Sequence, residues 1–180
     1  MKLFVFLTAL GAAAALSATD ATLLQGQNPN PWTWRGAVAP GRTLEIRGVM
    51  GFIRAEPASG REVEVTATKH AEDSDINGVR IEVVQEGGDV TICAVYPGNG
   101  NSCEHGDSEN HVRGHNDVHV DFTVRVPAGV NFHGAAVSGD VSATGLTGTV
   151  ELTSVSGDVS GTALTGRAEF NSVSGDVVLE

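Results

Sequence analysis

Val137-Ser138-Gly139-Asp140-Val141, Val155-Ser156-Gly157-Asp158-Val159 and Val173-Ser174-Gly175-Asp176-Val177 recur at a spacing of 18 residues. Midway between them stand Leu146-Thr147-Gly148-Thr149-Val150 and Leu164-Thr165-Gly166-Arg167-Ala168, so the underlying unit is nine residues long. Positions 1, 5 and 7 of a unit are apolar or small, as in Val137, Val141 and Ala143 or Leu164, Ala168 and Phe170, and positions 5 and 7 alternate like a strand. Glycine at position 3 offers a backbone state that a residue with a Cβ enters at some cost, and so marks a bend. Strand, bend, strand, bend closes one coil, and stacked coils would place equivalent residues about 4.8 Å apart in parallel strands around a narrow interior of Val, Ala and Leu. The expected fold is all-β: a single-stranded β-solenoid with about 18 residues per C-terminal coil and one long polar loop. An antiparallel meander would run consecutive units in opposite directions and leave the 18-residue identity without a cause.

Outward from the repeats, Val49-Met50-Gly51-Phe52-Ile53-Arg54-Ala55 is a degenerate copy of the same pattern. Alternating segments at Leu44 to Arg47, Glu62 to Thr68, Val79 to Val84, Val90 to Val95 and Val118 to Val126 supply further strands, the last with Val118, Val120, Phe122, Val124 and Val126 on one face. Pro97 to Asn116 is polar and glycine-rich, an expected long exposed loop inserted in a domain that runs from 32 to 180. Residues 1–18 read as a signal peptide: Lys2, the apolar run Leu3 to Leu10, then small residues from Gly11 to Ala18. Residues 19–31 read as a flexible N-terminal segment. The expected location is therefore exported: periplasmic, cell-surface or secreted. The apolar run is too short for a membrane span, which needs roughly 18 to 20 apolar residues. Eleven Lys plus Arg against 22 Asp plus Glu leave a net charge of −11, which disfavours nucleic acid as a partner. Glycine is 23 of 180 residues, well above the usual ~7%, consistent with many tight turns.

Trp32-Thr33-Trp34-Arg35-Gly36, Ala39-Pro40-Gly41-Arg42-Thr43-Leu44-Glu45-Ile46, Ile92-Cys93-Ala94-Val95-Tyr96-Pro97, Val124-Arg125-Val126-Pro127-Ala128-Gly129-Val130 and the tandem Val-Ser-Gly-Asp-Val units together resemble the bacterial DUF4097 "putative adhesin" family. The resemblance covers about residues 32–180. It implies an exported β-solenoid with a structural or adhesive role, and it brings no catalytic residue and no cofactor.

Cys93 and Cys103 are the only cysteines and flank the start of the polar loop. In an exported chain they are expected to be disulfide-bonded as a structural staple. The loop region gathers His105, Asp107, Glu109, His111, His115, Asp117 and His119, and imidazole with carboxylate suits Zn, Cu or Ni. His111, His115 and His119 have the i, i+4, i+8 spacing of a helical face and are the metal candidates, against a solvated polar loop as the plainer reading. Asp140, Asp158 and Asp176 would stack as a column of like charges. Alternate units carry Thr149 or Arg167 instead, unlike a calcium-binding β-roll, so these aspartates read as turn residues. Trp32 and Trp34 point the same way on a strand, as a cap over the first coil or as a sugar-stacking platform. The serine column of Ser138, Ser156 and Ser174 has no His and Asp at meaningful spacing, so no catalytic residue is assigned.

The expected function is an exported non-catalytic structural or adhesive surface module, acting through its solenoid faces or its loop on an envelope or surface protein or a glycan. The alternative is transition-metal or small-ligand binding through residues 105–119. Val177-Val178-Leu179 replaces the polar residue seen as Ser142 and Ser160 by Val178. An apolar outward residue beside an uncapped strand edge suggests end-to-end association through residues 173–180.

Overall fold

A computed structural model describes residues 29–98, 100–103 and 115–180. In chain order the strands are β1 (Trp32–Ala37), β2 (Thr43–Arg47), β3 (Ile53–Pro57), β4 (Glu62–His70), β5 (Arg80–Glu86), β6 (Asp89–Val95), β7 (His119–Val126), β8 (Asn131–Ser138), β9 (Val141–Thr144), β10 (Val150–Ser156), β11 (Val159–Thr162), β12 (Ala168–Ser174) and β13 (Val177–Leu179). A 3-10 turn at Ile76–Gly78 is the only helical segment among the described residues. The strands form two sheets: sheet A in the order β1-β4-β7-β3-β9-β11-β13, and sheet B in the order β12-β10-β8-β2-β6-β5.

The expected single-stranded β-solenoid is thereby corrected to two mixed sheets. Parallel pairing holds where the repeats meet: β9, β11 and β13 pair with Val141, Val159 and Val177 in register, and β8, β10 and β12 pair with Ser138, Ser156 and Ser174 in register. The copy at Val49 to Ala55 lies against the first clean repeat, Ile53 opposite Val141 and Ala55 opposite Ala143. Parallel pairing continues in β2 with β6 and β8 and in β3 with β7, whereas β1 with β4, β4 with β7, and β5 with β6 are antiparallel. The physical reason lies in the upstream segments. β5 and β6 are joined by Gly87-Gly88, both with positive φ (59° and 93°), a tight reversal that dictates a hairpin. β4, nine residues long, runs antiparallel to both β1 and β7 and so leaves the coil direction of the repeats.

One core lies between the sheets. Leu44, Ile46, Ile92, Phe132, Val150 and Leu152 from sheet B meet Val63, Val65, Ile53, Phe122, Val124, Val141 and Val159 from sheet A. The assignment of repeat position 1 to the interior is also corrected. Leu146 is buried, but Val137, Val155 and Val173 are 44%, 45% and 76% exposed. In β10, Val150, Leu152 and Ser154 are buried and face inward, so the alternation turns Val155 outward.

The position-3 glycines answer to close approach rather than to a left-handed backbone. None of Gly139, Gly157 and Gly175 has a positive φ. A Cβ on Gly157 would lie 2.3 Å from the Gly139 carbonyl oxygen, and one on Gly175 2.2 Å from that of Gly157. Consecutive turns therefore touch through their backbones, and only hydrogen fits between them.

Candidate functional site

Two of the buried polar side chains, Glu45 and Thr91, meet the half-buried Arg47 and His133 on the outer face of sheet B. In β2, Leu44 and Ile46 face the core, so Glu45 and Arg47 point together to the other side. β2 sits between β6 and β8, which brings Thr91 and His133 alongside in register with Glu45. Arg47 grips the Glu45 carboxylate with two donors, Nε at 2.7 Å and Nη2 at 3.1 Å. Thr91 Oγ1 donates to Glu45 Oε2 at 3.1 Å, and His133 Nδ1 lies 3.3 Å from Oε1. His133 Nε2 faces Glu151 Oε1 on β10 at 3.9 Å. The group floors a shallow depression of about 320 Å³ lined by Thr43, Glu45, Arg47, Asp89, Val90, Thr91 and His133.

Burial alone would raise the Glu45 pKa, but the hydrogen bonds and charges of His133 and Arg47 outweigh it and hold the carboxyl at about 2. The His133 pKa is raised, first by its hydrogen bond to Glu45, against burial, and then by the charges of Glu45 and Glu151. The imidazole lies between two carboxylates, and the guanidinium carries a permanent charge. Asp89 lines the depression beside this group, with one carboxylate oxygen accepting the Thr43 N–H at 2.8 Å.

The disulfide between Cys93 and Cys103 is present. Cys93 lies two residues beyond Thr91 on β6 and on the same outer face, where Cys93, Val95 and Cys103 form a small buried cluster against Val84. Cys103 N–H donates to Glu82 Oε2 at 3.4 Å. The staple therefore roots the polar loop on the same face of sheet B as the Glu45 group.

The other candidates from the sequence fall as follows. His105, Asp107, Glu109 and His111 lie outside the described residues. His115 is exposed, and His119 opens β7. Among the described residues no three metal-capable side chains are grouped around one point. Asp117 accepts the backbone N–H groups of Glu72, Asp73 and Ser74; the Ser74 hydroxyl and these amides hold its pKa well below the usual carboxylate range. The Asp140, Asp158 and Asp176 column is linked rather than merely repelled. Asp158 N–H donates to Asp140 Oδ1 at 2.9 Å, and Asp176 N–H to Asp158 Oδ1 at 2.8 Å. Trp32 and Trp34 are half-buried and pack against the core from edge strand β1. Sequence reading missed Glu45, Arg47, Thr91 and His133 as a group. Its one available signal was the charged pair two apart in the alternating Leu44-Glu45-Ile46-Arg47.

No family model matches the chain, so DUF4097 membership is not shown, and no curated protein matches it. Among solved structures, the chain is similar to a "putative cell adhesion protein" from Clostridium sporogenes ATCC 15579. That match has 9% identity and a TM-score of 0.43, and it covers 83% of this chain and 99% of that one. A "putative adhesin" from Parabacteroides merdae ATCC 43184 shows 10% identity and a TM-score of 0.23, over 85% of this chain and 97% of that one. Similarity at this level leaves the function to be argued from the chain itself.

Proposed function

We propose that this protein is an exported, non-catalytic adhesive or structural module of the DUF4097 type, and that it makes contact through the outer face of sheet B. The observation that carries the reading is the Glu45, Arg47, Thr91 and His133 group. It is a set of charged and hydroxyl side chains tied by mutual hydrogen bonds on the outer face of sheet B, with His133 set between the carboxylates of Glu45 and Glu151. Preorganised polar groups of this kind favour recognition of polar ligands such as glycans, because little side-chain freedom is lost on contact. The disulfide supports export, since such bonds persist in oxidising compartments.

Beads coated with the protein, applied to immobilised glycans and bacterial envelope fractions under flow, test the reading. Retention above albumin-coated beads is expected. It should fall at least fivefold for Glu151→Arg, which reverses the charge beside His133 on the sheet B face, and persist for Thr123→Arg on β7 in sheet A. Retention equal to albumin, or equal loss in both variants, would reject it.

A further inference from the structure

A second constellation, independent of the sheet B face, lies on the outer side of sheet A. His70 closes β4 and His119 opens β7, and the two are direct register partners. Their rings stack with centroids 5.3 Å apart and planes 11° from parallel. Asp121, two residues along β7 on the same face, places Oδ2 3.6 Å from His70 Nδ1, while its Oδ1 accepts the Phe52 N–H at 3.1 Å. Both histidines are exposed.

We propose that His70 and His119 form a two-imidazole site for a divalent transition cation, copper before zinc, with Asp121 orienting the His70 ring. Directly opposed residues on antiparallel strands hold their Cβ atoms about 4.5–5.5 Å apart. Two imidazole nitrogens that share one ion at roughly 2.0–2.1 Å each must lie within about 4 Å of one another. Rings already stacked on one face reach that separation by side-chain rotation, without movement of the backbone. The Asp121 carboxylate, 3.6 Å from His70 Nδ1, is a charge partner that closes to hydrogen-bond distance by a small ring rotation, which would keep the proton on that nitrogen and leave the other for the ion. Asp121 is itself pinned by Phe52 N–H, so the ring is oriented from a fixed point. With only two imidazoles in place, the remaining coordination positions fall to water, which suits an exchangeable ion rather than a folding metal. The net charge of −11 raises the local cation concentration, and copper heads the affinity order for nitrogen donors.

This site differs from the one suggested by the spacing of His111, His115 and His119, and the two diverge at His70. Titration of the folded chain with CuSO₄ and ZnCl₂, followed by calorimetry, should show one saturable site, tighter for copper. His70→Gln and His119→Gln should each weaken it at least ~10-fold, and Asp121→Asn should weaken it by a smaller factor. The double substitution His111→Gln, His115→Gln should leave it unchanged. Wild-type binding that survives His70→Gln, or that is lost in the His111, His115 double variant, would overturn the assignment. An independent readout needs no variant: the copper EPR spectrum of the wild-type chain should show two nitrogen ligands, and oxygen-only coordination would overturn the site as well.

Discussion

His133 joins three strands of sheet B through one ring, with Glu45 on β2 at 3.3 Å and Glu151 on β10 at 3.9 Å. Because its folded pKa is raised above the ordinary 6.5, its contribution to stability is complete below 6.5 and is lost as pH rises through the higher folded value. Glu45 works with the opposite sign: its contribution is present above 4.5 and is lost as pH falls through about 2. We expect His133→Gln to lower stability at pH 6 by about 1.5 kcal/mol, the low end for hydrogen bonds to charged groups, and to flatten the decline expected above pH 6.5. Urea midpoints across a pH series check both; a decline in the variant as steep as in the wild type would refute the assignment. At this scale the sequence was half legible. Glu45 and Arg47 declare a shared face by their spacing in an alternating strand, whereas Thr91 and His133 arrive from distant segments, and only strand pairing brings them alongside.

Within the elements, the 18-residue ladder is held by three repeated devices. Parallel backbone pairing links β9 to β11 and β8 to β10, the Asp140 and Asp158 carboxylates take the N–H of the aspartate one repeat on, and Ser154 and Ser172 donate to the carbonyls of Gly139 and Gly157 at 2.9 Å. Glycine at the turn lets the repeats close to this distance. A pair of substitutions with opposite expected signs follows from the backbone. Gly157→Ala drives a methyl group to 2.3 Å from the Gly139 oxygen and should cost about 2–3 kcal/mol, as overpacking against an unyielding backbone does. Ala163 has φ of 54°, at the position occupied one repeat earlier by Gly145 with φ of 66°. Ala163→Gly should therefore stabilise the chain by roughly 1 kcal/mol, since a left-handed backbone costs a residue with a Cβ about 1–2 kcal/mol. Chemical denaturation of the two variants beside the wild type decides both signs. The repeat, its parallel register and the inward facing of Val141, Ala143, Val150 and Leu152 were legible because they depend on local periodicity. The outward turn of Val137, Val155 and Val173 was not, because a nine-residue reading treats alternate units as equivalent when only the 18-residue pair repeats.

For the whole molecule, the core between the sheets and the cluster around Cys93 lie on opposite sides of sheet B. Reduction of the Cys93–Cys103 bond should accordingly lower stability by about 2–3 kcal/mol, the value for a short closed loop, while the two sheets stay folded. Urea unfolding with and without a phosphine reductant, with far-UV circular dichroism as the probe, should show a shifted midpoint and an unchanged folded baseline. The sequence by itself determined an all-β chain, the placement of most strands, the in-register stacking of its repeats and the position of the staple. Each of these follows from residue alternation, exact repetition or the pairing of two lone cysteines. The tertiary structure alone decided that the chain makes two mixed sheets rather than one solenoid. That outcome rests on Gly87-Gly88 reversing β5 into β6, on the long β4 choosing β7, and on β3 entering between β7 and β9. Strand direction and neighbour order are set by loop closure and by contacts between distant segments, which no local period encodes. The same closure brought Glu45 to His133 and His70 to His119, so both candidate sites are products of strand order.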